Sequence, residues 1–472
     1  MNQLAVVVLA AGNGSRMKSS THKLLHSLAG IPILGHVLAT AESLAPNYLY
    51  VVVKHQKEQL VDYIAQRGSV CTVVEQGSGS GTAEAVQSAI SALPTDFDGQ
   101  ILVLSGDAPL LELAQLQRLI DLHQASGSAA TLLTAQLADP TGYGRIVREG
   151  NALAAIIEQS DADSEQLKIT EVNAGGYVFN HSALVSQLPL IKSENAQVER
   201  YLTDSVKLLL QAGESVATLL VADSWTISGI NDRAQLSDVA IELNRRLTRA
   251  WQLAGVTIEN PDSVWIDIGA VIESDVTLLS GTRIHGNSWI QTGAVIGPDS
   301  TIQDSEIGPG AKIVRSDVVQ TRVGADVQVG PYSHLRAGTQ LADGSKVGAF
   351  VEIKNSQIGS GSKVPHLSYV GDAQIGTDCN IGAGTIFANY DGQAKHQTVV
   401  QSGAQLGSGS ILVAPVNVGA GAYSAAGAVI RSDVTSGALV FSSNEQHEIA
   451  DWVREKRKGS KAAIAAEQVK ED

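Results

Sequence analysis

The sequence predicts two folds in tandem: an α/β domain on a mainly parallel sheet over residues 1–230, and a parallel β-helix over residues 256–440. An amphipathic helix over 231–255 joins them, and a charged tail fills 441–472. Three observations predict this. Valine-rich runs alternate with amphipathic stretches in the first half, aliphatic residues return every six positions in the second, and 472 residues exceed one ordinary core of ~100–200.

In the first half "LAVVVLAA", "ILGHVLATAESL", "YLYVVV", "QLVDYIAQ" and "ILVLSG" follow one another. Continuous apolar strands between amphipathic segments indicate βα units, whose ligands sit at the carboxyl ends of the strands. The run over residues 4–11 lacks a basic leader and enters a glycine turn, so it reads as a buried strand rather than a signal peptide. Leu236, Val239, Leu243, Leu247 and Trp251 recur at spacings of three and four, the mark of the connecting helix.

Beyond it the hexad beat runs through Ile284, Ile290, Ile296 and Ile302, then Val323, Val329, Leu335, Leu341, Val347 and Ile353, then Ile358, Val364 and Val370. Such a period buries its aliphatic residues only when coils stack. After Ile381 and Phe387 the next in-register residue is Val400, so part of "FANYDGQAKHQT" is extruded as a loop, a common place for binding groups. The tail is charged and helix-permissive and reads as solvated or partly disordered.

Composition excludes several classes. A formal charge of −15 argues against nucleic acid or an anionic membrane as partner. Two cysteines, Cys71 and Cys379, fall outside any CxxC spacing, which excludes a disulfide framework and a zinc site and suits a reducing cytoplasm. No apolar run approaches the ~18 residues of a membrane span.

Chemistry concentrates in two places. "LAAGNGSRMKS" fails as a dinucleotide fingerprint and as a Walker A loop, because Met17 stands where each needs glycine. Its glycines still let backbone N–H groups approach phosphates, and Arg16 and Lys23 supply positive charge. Asp107, after the strand "ILVLS", is placed to hold Mg²⁺ against a triphosphate. In the second half Arg336 and Lys354 occupy the same hexad position eighteen residues apart, so they stack if three hexads make a coil. Either an anion such as a phosphate lies between them or Glu352 neutralises them. His366, in "HLSY", has the chemistry of a general base.

These stretches, with "GYGRI", "NAQVERYLTD", "GINDRAQLS", "HLSYVGDAQIG", "NIGAGT", "NYDG" and "LVAPV", make nearly the whole chain resemble the GlmU family of bacterial bifunctional enzymes. The resemblance implies a Rossmann-like uridyltransferase domain that makes UDP-N-acetylglucosamine from UTP and N-acetylglucosamine 1-phosphate. It also implies a left-handed β-helix that acetylates glucosamine 1-phosphate from acetyl-CoA. It further implies Mg²⁺, a homotrimer and a cytoplasmic location, with no membrane or nucleic-acid partner. Carried over by motif, Leu9, Ala10, Ala11, Gly12, Arg16, Lys23, Gln76, Gly81 and Thr82 would bind the nucleotide. Gly144, Glu158, Asn173 and Asn231 would hold the sugar, and Asp107 with Asn231 the metal. His366 would be catalytic, with Arg336, Lys354, Tyr369, Asn380 and Lys395 on the amino-sugar phosphate and Asn389, Tyr390, Ser408 and Ala426 on acetyl-CoA.

The chain departs from the family pattern at His22, usually proline, and in "GSGTAE", where Gly79 replaces a uracil-contacting glutamine and Ala83 and Glu84 also differ. Ser105 and Ser443 are further departures, the latter where a CoA-contacting arginine is expected. An alternative reading is a sugar-1-phosphate nucleotidyltransferase of other base or sugar specificity with a non-catalytic β-helix assembly module.

Overall fold

The computed structural model describes residues 3–443 and 446–469. The chain forms two compact units, Met1–Ala270 with Ile284–Asn287, and Val271–Arg283 with Ser288–Asp472.

The first unit is built on one sheet. Its strand order is Val216–Val221, Ala130–Gln136, Glu171–Asn180, Gln100–Ser105, Leu4–Ala10, Tyr48–Val53, Thr72–Glu75. Only Glu171–Asn180 runs against its neighbours; the other pairings along this path are parallel. A hairpin of Arg145–Glu149 and Ala152–Ile157 joins that reversed strand through Val172 and Arg145. Residues Ala5 to Val8 are all fully buried because each sheet face carries its own apolar cluster, Val6 and Val8 in one and Ala5 and Val7 in the other. This explains the unbroken apolar runs: neither face of the strand meets water.

The helix Arg233–Leu253 starts where Asp232 accepts the N–H groups of Ala234 and Gln235, an N-cap of the usual kind. Leu236 and Leu243 pack against the core as the spacing requires, but the deeply buried positions are Val239 and the polar Glu242, Asn244 and Thr248. Asn244 repays its burial by donating to Val264 O at 2.8 Å and accepting from Ile266 N–H at 3.2 Å. The first compact unit runs to Ala270.

The second unit winds as a left-handed parallel β-helix. Each strand pairs with the third one after it, so three short strands make one coil and three parallel sheets form its walls. The registers Leu335↔Ile353↔Val370 and Leu341↔Ile358↔Ile375↔Val400↔Val418 place the hexad residues directly above one another, all at 3% exposure or less. Full burial of each such side chain is worth about 1.5–3 kcal/mol, which no isolated hexad obtains. Phe387 and Val400 keep the beat across the extruded loop, as expected.

The described part of the tail is helical in two places and mostly exposed. Trp452–Lys456 and Lys461–Gln468 are helices, with Ala463 buried. Arg454 ties them by bonding Asp451 Oδ1 and the carbonyl of Ala466, and Arg457 lies over the Trp452 ring. Arg454 is the tail's less exposed charge, while Lys456, Lys458 and Lys461 stand in solvent. Residues 444, 445 and 470–472, part of the same tail, lie outside the described residues. Among the described residues no helix is long and apolar enough to cross a membrane.

Coil spacing gives a stability prediction. A Cβ on Gly348 would stand 1.9 Å from Pro365 O on the next coil. Gly348→Ala is expected to destabilise the chain by about 1–3 kcal/mol through overpacking; thermal unfolding checks this, and an unchanged Tm contradicts it.

Candidate active sites

At the carboxyl ends of the first unit's strands lie two adjoining cavities. One, about 380 Å³, is lined by Leu9, Ala10, Ala11, Gly12, Lys23, Gln76, Gly81 and Thr82, all expected from sequence, and also by Lys54, His55 and Glu199, which were not. The other, about 230 Å³, is lined by Gly144, Glu158, Asn173 and Asn231 as expected, and by Arg16, which sequence reasoning grouped with the nucleotide residues. Ser105 and Asp107 line both.

One cluster marks the junction. The Lys23 ammonium donates to Asp107 Oδ2 at 2.6 Å and to Asn231 Oδ1 at 3.2 Å. Its place follows from local structure: Gly14, at φ 59°, has its missing Cβ only 2.6 Å from Lys23 Cβ, so only glycine there lets the loop close on the lysine. Asp107 sits just past strand Gln100–Ser105, and Ile230 N–H donates to its carbonyl at 2.9 Å, bringing Asn231 alongside. Two oxygen donors, one of them anionic, therefore converge on a single cation. Mg²⁺ is held in nucleotide sites by one or two carboxylates plus substrate phosphates, so this pair fits the ion.

Other groups are shaped by burial. The Glu158 carboxyl is pushed up by desolvation, partly countered by a hydrogen bond from Thr203, and the nearby Asp161 and Asp204 add to the rise. Buried Arg145 donates to Tyr143 O and to Gln159 Oε1, bracing the turn that carries Gly144. His22 is buried, and desolvation with the adjacent Lys23 pushes its imidazole down to about 4, so it accepts from Leu24 N–H as a neutral ring.

The second unit separates its predicted residues onto two walls. His366 and Asn380 line a groove of about 530 Å³ with Lys346, Lys363, Gly348 and Pro365. Lys354 and Tyr369 belong to strands Glu352–Lys354 and Tyr369–Gly371 of another sheet, and Arg336 follows His334–Leu335 there. The register stacks Arg336 and Lys354 positions as foreseen, but the guanidinium is taken by Glu352 at 2.7 Å. Lys354 instead neighbours Lys395, whose ammonium it lowers.

Asp372, missed by sequence reasoning, organises this corner. It accepts from Asn355 at 2.6 Å and from Asn389 at 2.5 Å. Burial raises its carboxyl, but these bonds and the charges of Lys354 and Lys395 outweigh that and lower it. The extruded loop is a small hairpin in which Asp391, held well below the usual carboxylate range by Ala394 N–H, His396 and Gln393 N–H, fixes the turn beside exposed Tyr390. Ser408 and Ala426 are exposed on successive coils, where Gly427 N–H donates to Ser408 O at 2.8 Å.

Comparison with known proteins resolves the family. The MobA-like NTP transferase domain matches residues 6–172 and the bacterial transferase hexapeptide (six repeats) matches 320–355. A protein of Clavibacter sepedonicus named bifunctional protein GlmU is 52% identical, with 98% of this chain and 94% of the relative covered. The chain belongs to the GlmU family. Proteins of the same name from Kineococcus radiotolerans and Mycobacterium ulcerans are 49% and 48% identical, covering 99% and 98% of this chain and 95% of each relative.

Departures from the usual GlmU pattern have local explanations. Glu84 pairs with Arg200 at 2.6 Å, and a Cβ on Gly79 would lie 2.7 Å from the Glu84 carboxyl carbon, so the two altered positions belong together. His22, replacing proline, starts the turn that carries Lys23.

This first unit is expected to be acid-sensitive. Burial lowers His22, His26, His36 and His123, and a folded-state pKa below the unfolded one gives stability that is present above about 6.5 and lost as pH falls toward the folded value, about 4 for His22. Its Tm should fall between pH 6.5 and 4, less steeply in His22→Asn; calorimetry showing the same slope in both proteins would contradict this.

Proposed function

We propose that the chain makes UDP-N-acetylglucosamine in two steps divided between its units. The β-helix moves the acetyl group of acetyl-CoA to the amine of glucosamine 1-phosphate, and the α/β unit then joins the N-acetylglucosamine 1-phosphate to UTP with release of pyrophosphate. The observation that carries the second step is the meeting of Lys23, Asp107 and Asn231 where two cavities adjoin. One cavity takes the nucleotide and the other the sugar, so the α-phosphate falls between them.

In that step a phosphate oxygen of the sugar attacks the α-phosphorus in line, and the bond to pyrophosphate breaks. Lys23 leaves Asp107 for the phosphates, and Arg16 meets the sugar-side phosphate. Glu158 and Asn173 orient the sugar, while Gln76, Gly81 and Thr82 hold the base. Mg²⁺, gripped by Asp107 and Asn231, would neutralise charge gathering on the phosphates. Positioning and electrostatics do the catalysis, as in other phosphoryl transfers.

In the acetyl step the sugar ammonium gives a proton to solvent, the amine attacks the thioester carbonyl, and His366 takes the second proton as CoA thiolate leaves and is protonated. Asn380 lies in the His366 groove, whereas Arg336, Lys354 and Tyr369 belong to another wall, and Asn389 and the loop residue Lys395 gather with Lys354 about Asp372. That division supports a site completed by a neighbouring copy, and the family resemblance supports a homotrimer as the assembly. Ser408, Ala426 and Tyr390 would meet the pantetheine arm. A reducing cytoplasm suits the two free cysteines.

Two assays on one preparation test the division. Asp107→Ala is expected to abolish pyrophosphate release from UTP while leaving thiol release from acetyl-CoA intact. His366→Ala should slow thiol release by ~10²–10⁴ and spare pyrophosphate release. Loss of both activities in either variant with the fold retained, or full activity in both, would refute it.

A further inference from the structure

Lys54 follows the strand Tyr48–Val53 directly and enters the nucleotide cavity half-buried. Its ammonium donates to Gly79 O at 2.6 Å, and among the described residues it makes no ion pair. A cation partly withdrawn from water and hydrogen-bonded to a neutral carbonyl, with no carboxylate in ion-pair contact, is poorly compensated, so a ligand acceptor would be favourable.

The same carbonyl also accepts from Gln76 Nε2 at 2.9 Å. That bond fixes which way the amide faces: its nitrogen is used, and its oxygen remains to accept. An ammonium has three donors, of which this contact uses one. Gly79 thus sets side by side an acceptor from Gln76 and a charged donor from Lys54. A side chain at position 79 would have to displace Glu84, because a Cβ there would lie 2.7–3.0 Å from the Glu84 side chain, which Arg200 anchors.

We propose that Lys54 selects uracil over cytosine by donating to the base oxygen O4; the inference rests on the uridylyl transfer read above. Uracil offers an N3–H donor beside the O4 acceptor, which complements the Gln76 oxygen and the Lys54 ammonium. Cytosine offers an N3 acceptor beside an amino donor, so each protein group meets its like. A site whose polar groups are left unpaired by the wrong substrate discriminates strongly. The sequence held one visible signal, a lysine immediately after a strand at the ligand-binding edge of the sheet.

The test is kcat/KM for pyrophosphate release with UTP and with CTP in the wild type, Lys54→Met and Lys54→Arg, with thiol release from acetyl-CoA followed in each preparation. Lys54→Met is expected to lower kcat/KM for UTP by about tenfold or more, mainly through KM, without a matching loss for CTP. The UTP/CTP ratio should fall by that factor, and Lys54→Arg should recover most of it. A ratio within about twofold of wild type, whether both rates hold or both fall together, overturns the proposal and leaves Lys54 as a brace for the loop. A wild type that releases thiol but no pyrophosphate from UTP instead sinks the underlying reading, and the proposal with it.

Discussion

One ammonium organises the first unit's site. Lys23 is held between the carboxylate of Asp107 and the amide oxygen of Asn231, and through them it ties three distant segments to the point where two cavities meet. An ion pair this enclosed carries a desolvation cost that its Coulomb term only partly offsets. Its retention makes physical sense if the lysine has a second partner, a phosphate, and the two oxygens a second cation. The surrounding groups serve this arrangement: Gly14 lets the loop close, the neutral His22 holds the turn, and the buried Arg145 braces the turn at the second cavity.

The second unit solves a different problem. A hexad cannot bury its aliphatic residue alone, so every coil depends on its neighbours, and the regular stack turns positions eighteen residues apart into neighbours. Regularity places charges close together, and the structure relieves this in two ways. Arg336 takes Glu352 as a partner, while Lys354 and Lys395 face each other under the influence of Asp372. The second arrangement keeps two cations close together.

Periodicity made both folds legible. The valine runs foretold strands buried on two faces, and the hexad beat foretold which residues stack, even across the extruded loop. The residues that the motifs implied for nucleotide and sugar line two adjoining cavities, with Arg16 in the second. Less legible were interactions set by tertiary register: Asp372 linking Asn355 to Asn389, Lys54 on the Gly79 carbonyl, and Glu84 with Arg200. Each joins residues whose proximity no local spacing encodes. In the tail, which is helical and mostly exposed, the contact no spacing announced is Arg454 with a carbonyl twelve residues away.

The most direct measurement is a crystal structure of the chain with N-acetylglucosamine 1-phosphate and a non-hydrolysable UTP analogue. The account predicts the α-phosphorus beside Ser105 and Asp107, with the Lys23 ammonium moved from the carboxylate to phosphate oxygen. A nucleotide bound elsewhere, or one bound there with the Lys23–Asp107 pair undisturbed, would contradict it.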